Sequence, residues 1–505
     1  MEHQILSFPV LVSFLLFILM LLRIWKKHNN DYTPPPGPWK LPFLGNLHQL
    51  AGSSLTHHRL RDLARTYGPV MGIQLGQVPA VVISSPEAAK EVLKIQEVQF
   101  ADRSPVLATE KVLYNGNDIV FGLYGDQWRQ MRKICTLELL SAKRVQSFKA
   151  VREEEVLNFV RFLDSKSGTP VNLTHSLFAL TNTIISRTSI GKNCKNQETL
   201  LRIIDDIIGV VGGFSPADVF PSFKFLLSIT GEKSRLELLH RETDQILEDI
   251  INEHRASKAL SKKSDLSEAD NLLDVLVNLQ DCGNFQVPLT NDCIKGAILD
   301  MFIAGTDTSS KTAEWAMAEL MKNPRAMKKA QEEVRHVFGK KGKVDEAGFQ
   351  ELKYLKLVIK ETLRLHPPAP MIQRQCREKT QVNGYDINPK TKIFVHIWAI
   401  GRDPNIWTEA DKFCPERFID STIDYKGSNF ELLPFGAGKR ICPGMTLGLV
   451  SLELSLAQML YHFDWKLPDG VTPDNLDMSE GFGGAIKRGV DLKLIPIPCS
   501  PMPIQ

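Results

Sequence analysis

Read as a pattern of apolar and polar positions, the chain is dominated by helical spacing. Apolar residues recur three and four apart over Val151–Lys166, Leu236–Lys258, Thr290–Met321, Ala326–Phe338, Gln350–Leu365 and Met445–His462. Each stretch predicts a helix with one face turned to a core. Shorter apolar runs, Val70–Leu75, Ala80–Ser84 and Ile393–Ile400, are bounded by Gly, Pro or polar turns and predict strands. Ser257–Asn271 is rich in Ser, Lys, Asp and Glu and predicts one exposed loop between helices, not a domain boundary. No internal repeat is visible. The expectation is a single mainly α domain with smaller β-sheets (α+β) over residues 46–505.

The N-terminus has a different pattern. Ile5 to Leu22 carries no charged side chain, and as a helix it would be about 27 Å long, close to the hydrocarbon thickness of a bilayer. Arg23, Lys26 and Lys27 follow it, which places that side in the cytosol. Glu2 stands where a cleaved signal peptide would carry a basic region. Residues 1–22 are therefore expected to form a single transmembrane anchor. Residues 23–45 form a basic, Pro-rich linker, in which Pro34-Pro35-Pro36-Gly37-Pro38 favours extended, semi-rigid geometry.

Composition narrows the function by exclusion. Among 505 residues, 61 Lys+Arg face 58 Asp+Glu, a formal charge of +3. That leaves no global electrostatic case for nucleic-acid binding. Eight cysteines, none at C-x-x-C spacing, exclude a disulfide scaffold and a zinc ribbon and fit a reducing compartment. Phosphate-cradling loops, H-E-x-x-H and G-x-S-x-G are all missing. By these criteria the chain carries no nicotinamide or nucleotide site of its own.

One cysteine stands out. Phe435-Gly436-Ala437-Gly438-Lys439-Arg440-Ile441-Cys442-Pro443-Gly444 precedes the helix expected from Met445. The glycines permit a tight turn and close approach, and the helix N-terminus favours a thiolate, a soft metal ligand. Alone, Cys442 would read as a small buried hydrophobe. With its ten-residue context, the chain resembles the cytochrome P450 haem-thiolate monooxygenases: F-x-x-G-x-R-x-C-x-G is complete, from Phe435 to Gly444. The resemblance spans the chain. It implies the cytochrome P450 fold, haem b (iron protoporphyrin IX) as cofactor, and Cys442 as the axial ligand of the iron.

Other motifs carry the same resemblance. Ala304-Gly305-Thr306-Asp307-Thr308 interrupts an apolar helical run, and a mid-helix Gly with a Thr able to bond back to the i−4 carbonyl predicts a softened, bulged turn. The resemblance makes Asp307 and Thr308 catalytic, delivering protons during oxygen activation. Glu361 and Arg364, three apart on one helix face, and Arg417 of Pro415-Glu416-Arg417-Phe418 match the family's buried Glu–Arg–Arg network, a structural assignment. Trp128 and Arg132 set an indole N–H and a guanidinium four apart, both donors suited to carboxylates. With Arg440 and Arg374 they match the family's haem-propionate binders, although Gln373-Arg374-Gln375 departs from the usual wording around that arginine.

By the same analogy Met301, Phe302, Ala304, Ala369, Ile372 and Phe482 face substrate. Nearly all are apolar, which suggests a lipophilic ligand held by shape. The wording is similar to plant microsomal oxidases of specialised metabolites, terpenoids and especially casbane-type diterpenes. It implies O2 as co-substrate, NADPH–cytochrome P450 reductase as electron donor, and the endoplasmic reticulum membrane with the catalytic domain in the cytosol. Arg129, Lys133 and Lys439 are candidates for a basic face toward the reductase. Two rival readings are a reductase-independent haem-thiolate isomerase or dehydratase and a non-catalytic membrane-anchored scaffold. The intact Asp307-Thr308 pair favours the monooxygenase.

Overall fold

The computed structural model describes residues 12–18, 20, 32–52, 54–193, 197–212, 215–223, 231–261, 271–283, 287–481, 483 and 485–499. Residues 12–18 and 20 are helical and exposed. No helix among the described residues is long and apolar enough to cross a membrane, and most of the expected anchor lies outside them.

Helices make up most of the structure: α1 (Thr56–Tyr67), α2 (Asp126–Glu138), α3 (Lys149–Ser165), α4 (Leu173–Ile190), α5 (Gln197–Gly212), α6 (Glu232–Ser261), α7 (Leu272–Cys282), α8 (Asn291–Lys322), α9 (Pro324–Gly339), α10 (Lys353–Leu365) and α11 (Met445–His462). The main sheet has the order β1 (Val70–Leu75), β2 (Val78–Ile83), β7 (Lys392–Val395), β4 (Ile372–Gln375), with only the β2–β7 pair parallel. A second sheet joins β3 (Val171–Asn172), β11 (Lys493–Pro498) and β8 (Phe463–Lys466). Two hairpins, β5 (Thr380–Val382) with β6 (Tyr385–Ile387) and β9 (Glu480–Gly481) with β10 (Lys487–Arg488), complete the β structure.

The axis of the fold is α8, 32 residues long, or about 48 Å. Thr290 caps its start by accepting from the Cys293 N–H at 3.3 Å, and Asn323-Pro324 ends it. Its N-terminal half packs into a core with α2 and α4–α7, and its C-terminal half into a core with α3, α4 and α9–α11. Each buried Leu, Ile or Phe adds about 1.5–3 kcal/mol of transfer free energy. The helix is therefore held rigid on both sides of its centre.

Three expectations change. The apolar run from Ile393 is not one strand: β7 ends at Val395, and the His396 side chain accepts from the Ala399 N–H to cap a short helix, Ile397–Ile400. The Pro-rich segment is docked and not a free spacer: Gly72 N–H donates to Pro36 O at 2.7 Å, and a Cβ on Gly37 would lie 1.8 Å from Gly72 O. The polar stretch expected as a loop from Ser257 remains helical to Ser261, and residues 262–270 lie outside the described residues.

Candidate active site

Between the two cores lies a cavity of about 470 Å³, within the usual range for ligand pockets. Its floor is the Cys442 loop. Gly436 and Gly438 take φ of 72° and 69°, and a Cβ on Gly438 would come within 2.0 Å of Leu93 O, so only glycine fits there. The Cys442 N–H closes the loop onto Phe435 O at 2.9 Å. Helix α11 starts at Met445 with Gly444 as N-cap. Pro443 thus precedes the helix and is not its first residue. Burial pushes the Cys442 thiol up from its ordinary value, while the N–H groups of Gly444 and Met445 and the guanidiniums of Arg132 and Arg103 pull it down. This is an electropositive, enclosed setting suited to a thiolate bound to a cation.

Four arginines converge on the same cavity: Arg103, Arg132, Arg374 and Arg440. None makes an ion pair among the described residues. Arg374 is wholly buried, and its side chain donates to the Gln373 carbonyl at 2.8 Å; burial and then Arg103, Arg440 and Arg132 hold it well below the usual guanidinium range. Arg440 is pushed down to about 9, first by burial and then by Arg103. It donates to the carbonyls of Val120 and Gly122 and lies 4.4 Å from the Trp128 ring centroid. Arg132 donates to the Ile441 carbonyl. Arg103 Nε and Arg440 Nε are buried without partners. Asp118 and Asp300 are in electrostatic reach of Arg103, but burial pushes both carboxyls up; Asp300 Oδ2 accepts the Ile119 and Val120 N–H groups and Asp118 Oδ1 those of Phe121 and Gly122, while Asp118 Oδ2 is buried without a partner. Four crowded cations with orphaned donors are costly unless an anion is shared among them. The two propionates of haem, a group whose iron takes a soft sulfur ligand, would fit that requirement.

Trp128 reaches the cavity, but its indole N–H donates to Ile119 O at 3.0 Å. Its contribution to the arginine cluster is through its ring face. Arg103 was not singled out from the sequence. It lies in a loop with no helical or motif spacing to the others, and only the tertiary fold brings it in.

Helix α8 supplies the opposite wall through Met301, Ala304, Gly305, Thr308, Ser309 and Thr312. The helix is unbroken there, so the expected bulge is absent. Gly305 serves packing instead: a Cβ would lie 2.5 Å from Ile185 Cδ1 of α4. Thr308 Oγ1 faces the cavity and donates back to Ala304 O at 2.6 Å. Asp307 is turned away from the cavity, toward the Ala485 N–H, Lys311, Lys487 and Asp205; burial raises its carboxyl to about 6. It is thus a proton-holding group about 100° around the helix from Thr308, outside the cavity lining but bonded to its Ala485 wall.

Ala369 and Ile372 line the cavity with Met301 and Ala304. Phe302 does not. One residue along the helix turns about 100°, which buries Phe302 completely in the core shared with α4–α7. Phe482 lies outside the described residues. Its neighbours Gly481, Gly483 and Ala485 form a cavity wall that Glu480 pins in place. Glu480 accepts from His57 Nε2 at 2.7 Å, His58 Nε2 at 3.0 Å and Trp398 Nε1 at 3.0 Å, and is held far below the usual carboxylate range, burial opposing these bonds.

Glu361, Arg364 and Arg417 meet away from the cavity. Glu361 receives both Arg364 Nε and Nη2 at 2.8 Å, Arg417 Nε at 2.9 Å and the Cys414 N–H at 2.8 Å, and the Glu361 and Arg364 side chains are fully buried. Of the expected basic face, Arg129 pairs with Asp126 and Lys439 with Glu97 at 3.2 Å, while Lys133 is exposed.

The family profile "Cytochrome P450" matches residues 34–490. A cytochrome P450 of Euphorbia lathyris is 64% identical over 99% of this chain and 99% of its own length. Premnaspirodiene oxygenase of Hyoscyamus muticus is 52% identical, covering 98% of this chain and 99% of its own. Melianol synthase of Azadirachta indica is 50% identical over 98% of both chains. The fold of a zebra fish cytochrome P450 solved with abiraterone superposes with a TM-score of 0.74 at 24% identity, covering 88% of this chain and 99% of that one. With the Cys442 loop, the arginine cluster and the α8 wall around one cavity, the chain belongs to the cytochrome P450 family of haem-dependent monooxygenases.

Proposed function

We propose that this monooxygenase oxidises a lipophilic plant terpenoid, most specifically a diterpene of the casbane type. The observation that carries the substrate reading is the cavity itself. Its lining includes the small or apolar Met301, Ala304, Gly305, Ala369 and Ile372, which select by shape. The printed names of two relatives, premnaspirodiene oxygenase and melianol synthase, and the wording of the whole chain support it.

Cys442 would hold the haem iron, and Arg103, Arg132, Arg374 and Arg440 its propionates, with Trp128 stacked beneath Arg440. When bound, haem supplies oxygen activation, with O2 and electrons from a redox partner. The chain positions a C–H bond against the floor, excludes water with its apolar wall, and keeps a proton at Asp307 and a hydroxyl at Thr308 Oγ1 for donation. We assign residues 5–22 as an anchor in the endoplasmic reticulum membrane, the body in the cytosol, and NADPH–cytochrome P450 reductase as the donor. The apolar run followed by Arg23, Lys26 and Lys27 supports this. A reductase-independent isomerase would have no use for the Asp307–Thr308 pair. A scaffold would have no use for four guanidiniums gathered at one cavity without an ion pair among the described residues.

The test is incubation of the full chain with plant reductase, NADPH and casbene in microsomes. An oxygenated casbane whose formation requires NADPH and reductase is expected. Turnover of other lipophiles with casbene and oxygenated casbanes all untouched would contradict the diterpene assignment, and turnover without reductase would contradict the monooxygenase cycle.

A further inference from the structure

The cavity wall built by the main sheet contains a charge that the monooxygenase reaction does not use. Lys392, the first residue of β7, lines the cavity and is 8% exposed. Its ammonium makes no ion pair or hydrogen bond among the described residues, and burial lowers it from the ordinary lysine value. The carboxylate in electrostatic reach is Asp218. That group is already engaged, accepting the Leu107 N–H at 2.7 Å and the Ser215 N–H at 3.3 Å. Strand alternation puts Lys392 and Phe394 on one face of β7, and register sets Gln373 of β4 opposite Phe394. All three line the cavity, as does Thr56 of α1. The ammonium is thus a fifth cation in the cavity lining besides the four arginines, and an amide and a hydroxyl belong to the same lining.

We propose that Lys392 is the polar anchor of this cavity, and that the substrate arrives already carrying an oxygen acceptor, a carboxylate being the best fit. This deepens the terpenoid reading and rests on the cavity being the substrate site. Desolvation sets the preference. When an apolar ligand fills the cavity, the ammonium loses its water and gains nothing, which is costly for a buried cation. A ligand oxygen within hydrogen-bond reach restores the lost bond with a charge-assisted one. A site holding such a donor rejects a ligand that lacks the acceptor, because the donor is then left unpaired. Among terpenoids this favours an acid, or failing that a ketone or alcohol, over the bare hydrocarbon. The product would then be at least doubly oxygenated, and an earlier oxidation must supply the substrate. On this inference, casbene itself would turn over more slowly than an oxygenated casbane.

The probes are abietic acid and the matching hydrocarbon abietadiene, titrated into the haem-loaded full chain and followed by the optical shift of the haem. The acid is expected to bind about ten- to a hundred-fold more tightly than the hydrocarbon, the factor of one charge-assisted hydrogen bond. Lys392→Met should erase that preference and leave abietadiene binding unchanged, while Lys392→Arg keeps the preference. Equal affinities in the wild type, or a preference that survives Lys392→Met, would overturn the proposal. So would its loss in Asp218→Asn, because Lys392 would then act as a latch to Asp218. A shift with abietadiene and no gain with the acid sinks the anchor alone; no shift with either probe sinks the terpenoid reading as well.

Discussion

Two sets of buried and half-buried arginines show opposite bookkeeping of charge. Arg364 and Arg417 converge on Glu361, which accepts from three guanidinium nitrogens and one backbone N–H at 2.8–2.9 Å; Arg364 also donates to Ala410 O at 2.6 Å. Arg103, Arg132, Arg374 and Arg440 instead face one another, with two orphaned Nε atoms and no ion pair among the described residues. The first set closes on itself and needs nothing more, so it holds structure. The second is left frustrated by the protein and is complete only with an anion from outside. Burial alone does not distinguish a structural charge from a binding one; how far its hydrogen-bonding capacity is met inside the chain does.

Breaking the satisfied set should have the largest effect. Glu361→Ala strands two buried cations, at a cost of about 3–5 kcal/mol. The expected result is little or no soluble haem-loaded protein. Normal yield and an unchanged melting temperature would remove Glu361 from its structural role.

Asp307 sharpens the comparison as a single buried carboxyl without an ion pair among the described residues. Its carboxyl is raised to about 6 from 3.8, so between those values the folded chain binds more protons than the unfolded chain. Stability contributed by the neutral carboxyl is therefore lost as pH rises through that window, by up to about 3 kcal/mol. The urea midpoint of Asp307→Asn minus that of wild type should grow from pH 4 to pH 6 and then level off. A difference independent of pH would contradict the raised value.

The frustrated set should respond in the opposite sense to the satisfied one. Arg374→Met removes one of four crowded cations, so the haem-free protein should melt no lower than wild type, whereas haem retention should weaken by about 1.5–3 kcal/mol, the value of a hydrogen bond to a charged group. Transfer of haem to apomyoglobin reads the second quantity. A variant that melts lower but keeps haem as tightly would place Arg374 with the structural arginines. The smallest effect is expected at Thr308. Thr308→Ala removes only one helix back-bond, leaving stability within about 0.5 kcal/mol, but should divert NADPH electrons to peroxide. Unchanged coupling of NADPH use to product would count against its proton role.

Much of this was legible in the sequence where one segment contains the whole signal. Helix α11 begins and ends at the residues the periodicity predicts, Met445 and His462, and the Cys442 loop could be read from its own ten residues. Helix α4 gave no such signal. It is buried on nearly all sides, and Ser, Thr and Asn interleave its apolar residues; Thr181 bonds Thr306 O of α8 at 3.0 Å, a contact that periodicity does not encode. The site divides the same way. Arg132 and Arg440 belong to local motifs, whereas Arg103, Lys392 and Glu480 acquire meaning only from neighbours brought in by the fold. Phe302 was placed on the wrong face because a motif gives order along a helix but not its rotation. Gly305 reads as a weak point in the sequence, whereas in the fold it lets Ile185 of α4 pack where a Cβ would lie 2.5 Å from its Cδ1.

The central claim is that the Cys442 thiolate, ringed by arginines that only an anion completes, is the seat of the cofactor. The most direct measurement is the optical spectrum of the reduced, carbon monoxide-bound protein, taken for wild type and Cys442→Ser. Wild type is expected to show the strongly red-shifted Soret band of thiolate-ligated haem, and Cys442→Ser to lose it while the fold, followed by circular dichroism, persists. A wild-type band at the position of histidine-ligated haem, or a red-shifted band that survives in Cys442→Ser, would contradict the account.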